Sequence, residues 1–148
     1  MEASIDSVRV AGTPDGPVAV VILTSAERED VLPIFIGFEE ATSIVRGLEA
    51  EDIGRPLTHD LLLDVMEELG GRVDRVVVCD VLDGTYIANL HVETPRGHTV
   101  VDARPSDSLA LAARTNAPIE VEIAVFDDGG QSPDRFEELD ELAEVGIV

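Results

Sequence analysis

The stretch Asp83-Gly84-Thr85-Tyr86-Ile87-Ala88-Asn89-Leu90-His91-Val92-Glu93 decides the fold class. Asp-Gly is hairpin-turn chemistry, since a two-residue turn needs positive φ and Gly adopts it without steric cost. After it, Tyr86, Ala88, Leu90 and Val92 alternate with Thr85, Asn89, His91 and Glu93. A period of two with one apolar side predicts a strand buried on one face. Arg72 to Val81, which runs into the turn, is its antiparallel partner. Pro95-Arg96-Gly97 turns the chain again, and His98 to Ala103 adds another strand. Pro105 then opens a helix to Arg114, because a first helical residue has no intrahelical partner for an N–H in any case.

The same order of signals recurs upstream. Asp15-Gly16 precedes Asp83-Gly84 by 83 − 15 = 68 residues, and at that offset Val18–Thr24 falls on Tyr86–Val92, Val31–Ile36 on Thr99–Arg104, and Arg46 on Arg114. Glu39 falls on Asp107, so each half reads strand, turn, strand, turn, helix, with an acid in the first helical turn. Ser4–Ala11 adds a first strand, and a helix is expected over Gly37–Ala50. Gly54-Arg55-Pro56 breaks the chain before a further helix, Thr58–Leu69, with Thr58 as N-cap and Leu61, Leu62, Val65, Met66 and Leu69 as its apolar stripe. Ile119–Val125 reads as a closing strand. The expected architecture is one α+β domain over residues 1–126: a largely antiparallel twisted sheet, three main helices and an internally duplicated strand-strand-helix unit. Residues 127–148 read as an acidic, loosely attached tail.

Composition narrows the function. Asp and Glu number 31 against 10 Lys and Arg, a formal charge of −21, and every one of those basic residues is Arg. We read this as halophilic adaptation to a salt-rich cytoplasm, where a Debye length of about 3 Å screens repulsion among carboxylates that keep the chain soluble. An acidic interaction protein at ordinary salt is the other reading, and it explains the missing Lys less well. Cys79 is the single cysteine, which excludes an internal disulfide framework and a Cys-rich zinc site. With no Trp, one Tyr and four Phe, the chain cannot build a row of base-stacking aromatics. No apolar run reaches the roughly 18 residues of a membrane span, and the opening MEASIDSVRV lacks signal-peptide features. The expectation is a cytoplasmic protein with no membrane partner. Apolar strands such as Val18–Leu23 are expected to complete their core by pairing into a homo-oligomer.

Three polar constellations sit at helix starts: Pro33-Ile34-Phe35-Ile36-Gly37-Phe38-Glu39-Glu40-Ala41, Arg55-Pro56-Leu57-Thr58-His59-Asp60-Leu61-Leu62, and Asp102-Ala103-Arg104-Pro105-Ser106-Asp107-Ser108-Leu109-Ala110. Taken singly, Glu39, Asp60 and Asp107 need only complement the helix dipole, worth about 0.3–1 kcal/mol each. The His59-Asp60 pair beside Arg55 is harder to explain by capping alone.

Together these blocks resemble those of the bifunctional nuclease family, over about Ser4 to Val125, with Phe35 and Ser108 departing from the family pattern, where Trp and Ala are usual. The resemblance implies an α+β domain and, for members with assigned activity, hydrolysis of DNA and RNA. Phosphodiester hydrolysis needs phosphate neutralised and a water activated, and carboxylates holding Mg²⁺ or Mn²⁺ beside His and Arg supply both. On that reading His59, Asp60, Asp102, Arg104 and Asp107 are catalytic, with His59 moving the proton. Arg55, Thr58 and Ser106 bind substrate, and Glu39 and Glu40 hold metal. The alternative is a non-catalytic ligand-binding or assembly module in which the same residues form a structural Arg–Asp network. Unpaired acids gathered from different blocks would favour the metal site, and acids each matched to an Arg would favour the network.

Overall fold

The computed structural model describes residues 1–50 and 57–145. In chain order the elements are β1 (Glu2–Thr13), β2 (Gly16–Thr24), β3 (Leu32–Ile36), α1 (Phe38–Glu49), α2 (Thr58–Glu68), β4 (Arg72–Leu82), β5 (Thr85–Thr94), β6 (Gly97–Ala103), α3 (Pro105–Thr115), β7 (Ile119–Val121), α4 (Ile123–Gly129) and β8 (Asp140–Glu141). The strands form an eight-stranded sheet in the order β3-β2-β1-β7-β4-β5-β6, with β8 on β1. The one parallel pairing among them is β4 with β7. The architecture is thus mixed α+β with a mostly antiparallel sheet. The order strand, strand, strand, helix occurs twice, as β1-β2-β3-α1 and β4-β5-β6-α3. Asp83 (φ 50°) and Gly84 (φ 79°) both take positive φ between the paired Leu82 and Thr85, the primed turn that matches strand twist.

The helices α1 and α3 cover one face of the sheet. Ala41, Ile44 and Val45 of α1 and Leu109, Ala110 and Leu111 of α3 join Val21, Leu23, Val76, Val78 and Leu90 in the main core. The two helices cross closely at Gly47, where an added Cβ would lie 3.0 Å from the Ala113 Cβ. That approach joins the C-terminal turns of α1 and α3, and at their other ends Arg104 Nη1 reaches Glu40 Oε1 at 3.4 Å.

Three expectations are corrected. Thr58 is the first helical residue rather than the N-cap, a position taken by the extended Leu57. The apolar stripe of α2 does not enter the core: no α2 residue is fully buried, and Leu61, Leu62, Val65 and Leu69 are exposed while Leu63 and Met66 lean on the core. The strand expected over Ile119–Val125 stops at Val121, because the Glu122 carbonyl accepts from Val125 and Phe126 N–H and starts α4, a fourth helix.

Residues between Asp127 and Leu142 pack on the sheet. Every residue from Ala19 to Leu23 of β2 is buried, so both faces of that strand need cover. One is covered by the helices. On the other, Val20, Ile22 and Val31 form a second core with Phe136, against which Leu139 packs. Arg9 Nη1 donates to Leu139 O at 2.7 Å, β8 pairs with Arg9 and Val10, and Leu142 is fully buried.

Candidate functional site

Three helix starts converge. The first turns of α1 and α2 bring Glu39, Glu40, Ser43, Thr58 and His59 toward the junction of β6 and α3, which carries Arg104 and Asp107. Thr58, His59, Arg104 and Asp107 line two adjoining cavities. The larger, about 620 Å³, reaches over Leu62, Leu90 and Val101; the other, about 430 Å³, reaches toward Glu39, Glu40, Ser43 and Arg46. The shared residues form the wall between two halves of one cleft.

The wall is hydrogen-bonded along its length. Arg104 donates from Nε to Asp107 Oδ2 at 2.9 Å and from Nη2 to Oδ1 at 3.2 Å, while Nη1 reaches Glu40 Oε1 at 3.4 Å. His59 Nε2 lies 2.9 Å from Asp107 Oδ1, and its Nδ1 lies 2.6 Å from Ser43 Oγ. Arg114 then donates to Ser43 Oγ at 3.1 Å, to Ser43 O at 2.9 Å and to Asp60 Oδ1 at 2.7 Å.

One arrangement of protons fits this pattern. Arg114 occupies one lone pair of Ser43 Oγ, so the hydroxyl hydrogen is free to donate to His59 Nδ1. His59 Nε2 then carries the ring hydrogen and donates to Asp107. Partial burial opposes ionisation of Asp107, yet donation from Arg104 and His59 outweighs it and holds the carboxyl below its ordinary value. Arg104 is held above the ordinary guanidinium value, first by its hydrogen bonds to Asp107. With its side chain 64% exposed against 15% for His59, Arg104 offers a fixed positive charge to the cleft.

The expected site residues separate into groups. His59, Arg104 and Asp107 meet, with Thr58 and Glu40 beside them and Glu39 farther along the cleft. Asp60 does not join them. It turns to Arg114 and accepts from Leu57 N–H at 3.1 Å; burial opposes its ionisation, but these donors prevail and its carboxyl also stays below the ordinary value. Asp102 lies at the cleft rim, yet pairs with Asn89 while its neighbour Val101 pairs with the buried Leu90. Strand alternation therefore turns its side chain to the other face. Arg104 lies past the end of β6, so the strand rule that would place it on the face of Asp102 does not apply. Ser106 is buried beside a separate cavity with Phe35 and Tyr86. Arg55 lies outside the described residues.

Sequence reasoning missed Ser43 and Arg114. Arg114 carried a signal, its match to Arg46 at the 68-residue offset; Ser43 showed only as one of several polar residues on α1. Arg46 lines the smaller cavity, and its buried Nε has no partner among the described residues.

Among the described residues, no three cleft side chains bring their ligand atoms together as a cage for a divalent ion. Asp107 uses both oxygens on Arg104 and His59, Asp60 uses both on Arg114 and Leu57, and Glu40 turns to Arg104. Among the described residues, the group of metal-ligating side chains that does converge is Asp74, Glu93 and His98, none of which lines the cleft.

Comparison with known proteins follows the same blocks. Residues 21–134 match the bifunctional nuclease domain, a span that includes every cleft residue above. An uncharacterized protein of Mycobacterium tuberculosis (strain CDC 1551 / Oshkosh) is 37% identical over 138 residues, which is 93% of this chain and 81% of that protein. Its counterpart in strain ATCC 25618 / H37Rv matches equally. A protein of Oryza sativa subsp. japonica named Bifunctional nuclease 2 is 25% identical over 118 residues, or 77% of this chain and 36% of that protein. With more than half of its length matched by the domain, the chain belongs to the bifunctional nuclease domain family.

Proposed function

We propose that the cleft hydrolyses phosphodiester bonds of nucleic acid. The observation that carries this reading is the exposed guanidinium of Arg104 beside the hydrogen-bonded relay Ser43–His59–Asp107. Arg104 clamps a non-bridging phosphate oxygen pair and neutralises charge that grows in the transition state. A water bonded to Ser43 passes its proton through the hydroxyl to His59 Nδ1 as it attacks phosphorus. Asp107, across the Nε2–H, stabilises the imidazolium that results. His59 then returns the proton toward the leaving oxygen. No step is routed through Mg²⁺ or Mn²⁺, because Asp107 and Asp60 are matched to guanidinium, imidazole and backbone donors.

The competing reading, a non-catalytic module locked by Arg–Asp pairs, draws support from Arg114. Its side chain is 8% exposed and its donors go to Asp60, Ser43 and Ala110. We divide the residues between the two roles: Asp60 and Arg114 hold the helices, and His59, Arg104 and Asp107 act on substrate. The formal charge of −21 repels nucleic acid at low ionic strength, so the reaction belongs at high salt in the cytoplasm. Among the described residues no helix is long and apolar enough to cross a membrane. The exposed Leu61, Leu62, Val65 and Leu69 of α2 belong to a homo-oligomer contact.

The test is cleavage of end-labelled DNA and RNA oligonucleotides in molar KCl, with chelator or with Mg²⁺ or Mn²⁺. Cleavage that persists in chelator and falls at least about 100-fold in His59→Ala supports the reading. Cleavage that strictly requires the divalent ion refutes the metal-free route, and equal rates in His59→Ala refute the role of the cleft.

A further inference from the structure

A second cluster lies on the sheet away from the cleft. On β5, His91 and Glu93 alternate with the buried Leu90 and Val92, so they occupy the opposite face. The register sets His98 of β6 directly across from Glu93. The β4–β5 pairing slips between Val73 and Arg75, which makes Asp74 the extra residue of a bulge, a device that re-aims a side chain. Asp74, Glu93 and His98 each present one ligand atom, and these atoms all lie within 4.8 Å of one another. His98 Nδ1 is 2.6 Å from Glu93 Oε1, and His98 Nε2 is 2.9 Å from His91 Nδ1.

We propose that Asp74, Glu93 and His98 bind a divalent transition ion of the zinc class, with His91 orienting the His98 ring. Mixed imidazole and carboxylate donors suit Zn²⁺, Co²⁺ or Ni²⁺, whereas Mg²⁺ prefers oxygen alone. A metal-bound histidine normally uses its other ring N–H on an acceptor, and His91 Nδ1 stands where that acceptor must be. Arg75 touches Asp74 Oδ2 at 3.2 Å but is also matched by Glu120 at 3.0 Å, and Asp74 keeps its second oxygen for the ion.

The geometry needs little change. Tetrahedral ligands about 2.0–2.1 Å from Zn²⁺ stand roughly 3.4 Å apart, so the 2.6 Å separation of His98 Nδ1 and Glu93 Oε1 opens by less than about 1 Å. The ion takes the place of a proton between those two atoms and releases that proton to solvent. Water fills the fourth position. The site is independent of the phosphodiesterase reading, since it shares no residue with the cleft.

Titration of the full chain with Zn²⁺ and Co²⁺ in molar KCl and millimolar Mg²⁺ tests the proposal by calorimetry and visible absorption. The expected result is one saturable ion per chain and a tetrahedral Co²⁺ band. His98→Asn and Glu93→Gln should each weaken binding by about 100-fold or more, and His91→Asn by about 10–100-fold. His59→Ala should bind as wild type does. Thermal midpoints without metal show that each variant is folded. Binding that is non-saturable, displaced by Mg²⁺, or unchanged in both His98→Asn and Glu93→Gln overturns the proposal.

Discussion

Asp60→Asn separates structure from catalysis. Asp60 Oδ1 accepts from Arg114 Nε at 2.7 Å, and Arg114 is 8% exposed, so removing the carboxylate charge leaves a nearly buried guanidinium without its counter-charge. Breaking a fully buried pair costs about 3–5 kcal/mol, but Asp60 is 39% exposed and water screens part of the loss. The asparagine also keeps an acceptor oxygen. We therefore expect a loss of about 1.5–3 kcal/mol, the range for a hydrogen bond to a charged group. For a chain of this size that lowers the thermal midpoint by about 4–10 °C. The folded carboxyl titrates below its ordinary value of 3.8, so its contribution is present above that pH and fades as pH falls through the folded value. The gap between wild type and Asp60→Asn should accordingly narrow in acid, measured by denaturant melts at pH 7 and near pH 3. Cleavage by the folded variant should stay within about threefold of wild type. An unchanged midpoint, or abolished cleavage in a variant as stable as wild type, would refute this division of labour.

Phe136→Ala should destabilise the domain by about 3 kcal/mol, because Phe136 fills the second core over Val20 and Ile22; an effect under 1 kcal/mol in a denaturant melt would show the C-terminal segment to be dispensable. The thermal midpoint should rise from low to molar KCl as repulsion among 31 acidic residues is screened, and a salt-independent midpoint contradicts the halophilic reading. Sedimentation equilibrium at high salt should give a multiple of 15.8 kDa, returning to the single-chain mass in Leu62→Glu; a wild-type chain that sediments as 15.8 kDa rules out the α2 contact.

Much of this fold was legible because turn chemistry is local. Asp83-Gly84 and Pro105 each set a boundary by their own backbone preferences, and the alternation from Tyr86 to Val92 set which face is buried. What lay beyond the sequence was tertiary. The α2 stripe repeats as regularly as a core helix, but periodicity cannot say what covers a face. The continuous apolar run of β2 signalled burial on both sides without naming Phe136 as the cover. Ile119–Val125 reads as strand by composition, yet Glu122 starts α4 instead. In the site, the motif blocks brought out His59, Arg104 and Asp107. His59 and Asp60 diverge as neighbours on a helix must, since successive residues point about 100° apart. The 68-residue offset marked Arg114 but not its partner: the bonds that tie Ser43 to His59 and to Arg114 span 16 and 71 residues of chain.

The most direct test is the initial rate of cleavage of one labelled oligonucleotide, in chelator and molar KCl, for wild type, His59→Ala and Asp60→Asn at a temperature where all three are folded. The account predicts cleavage by wild type and by Asp60→Asn, and a loss of at least about 100-fold in His59→Ala. No cleavage by wild type, or a rate in His59→Ala equal to that of wild type, would contradict it.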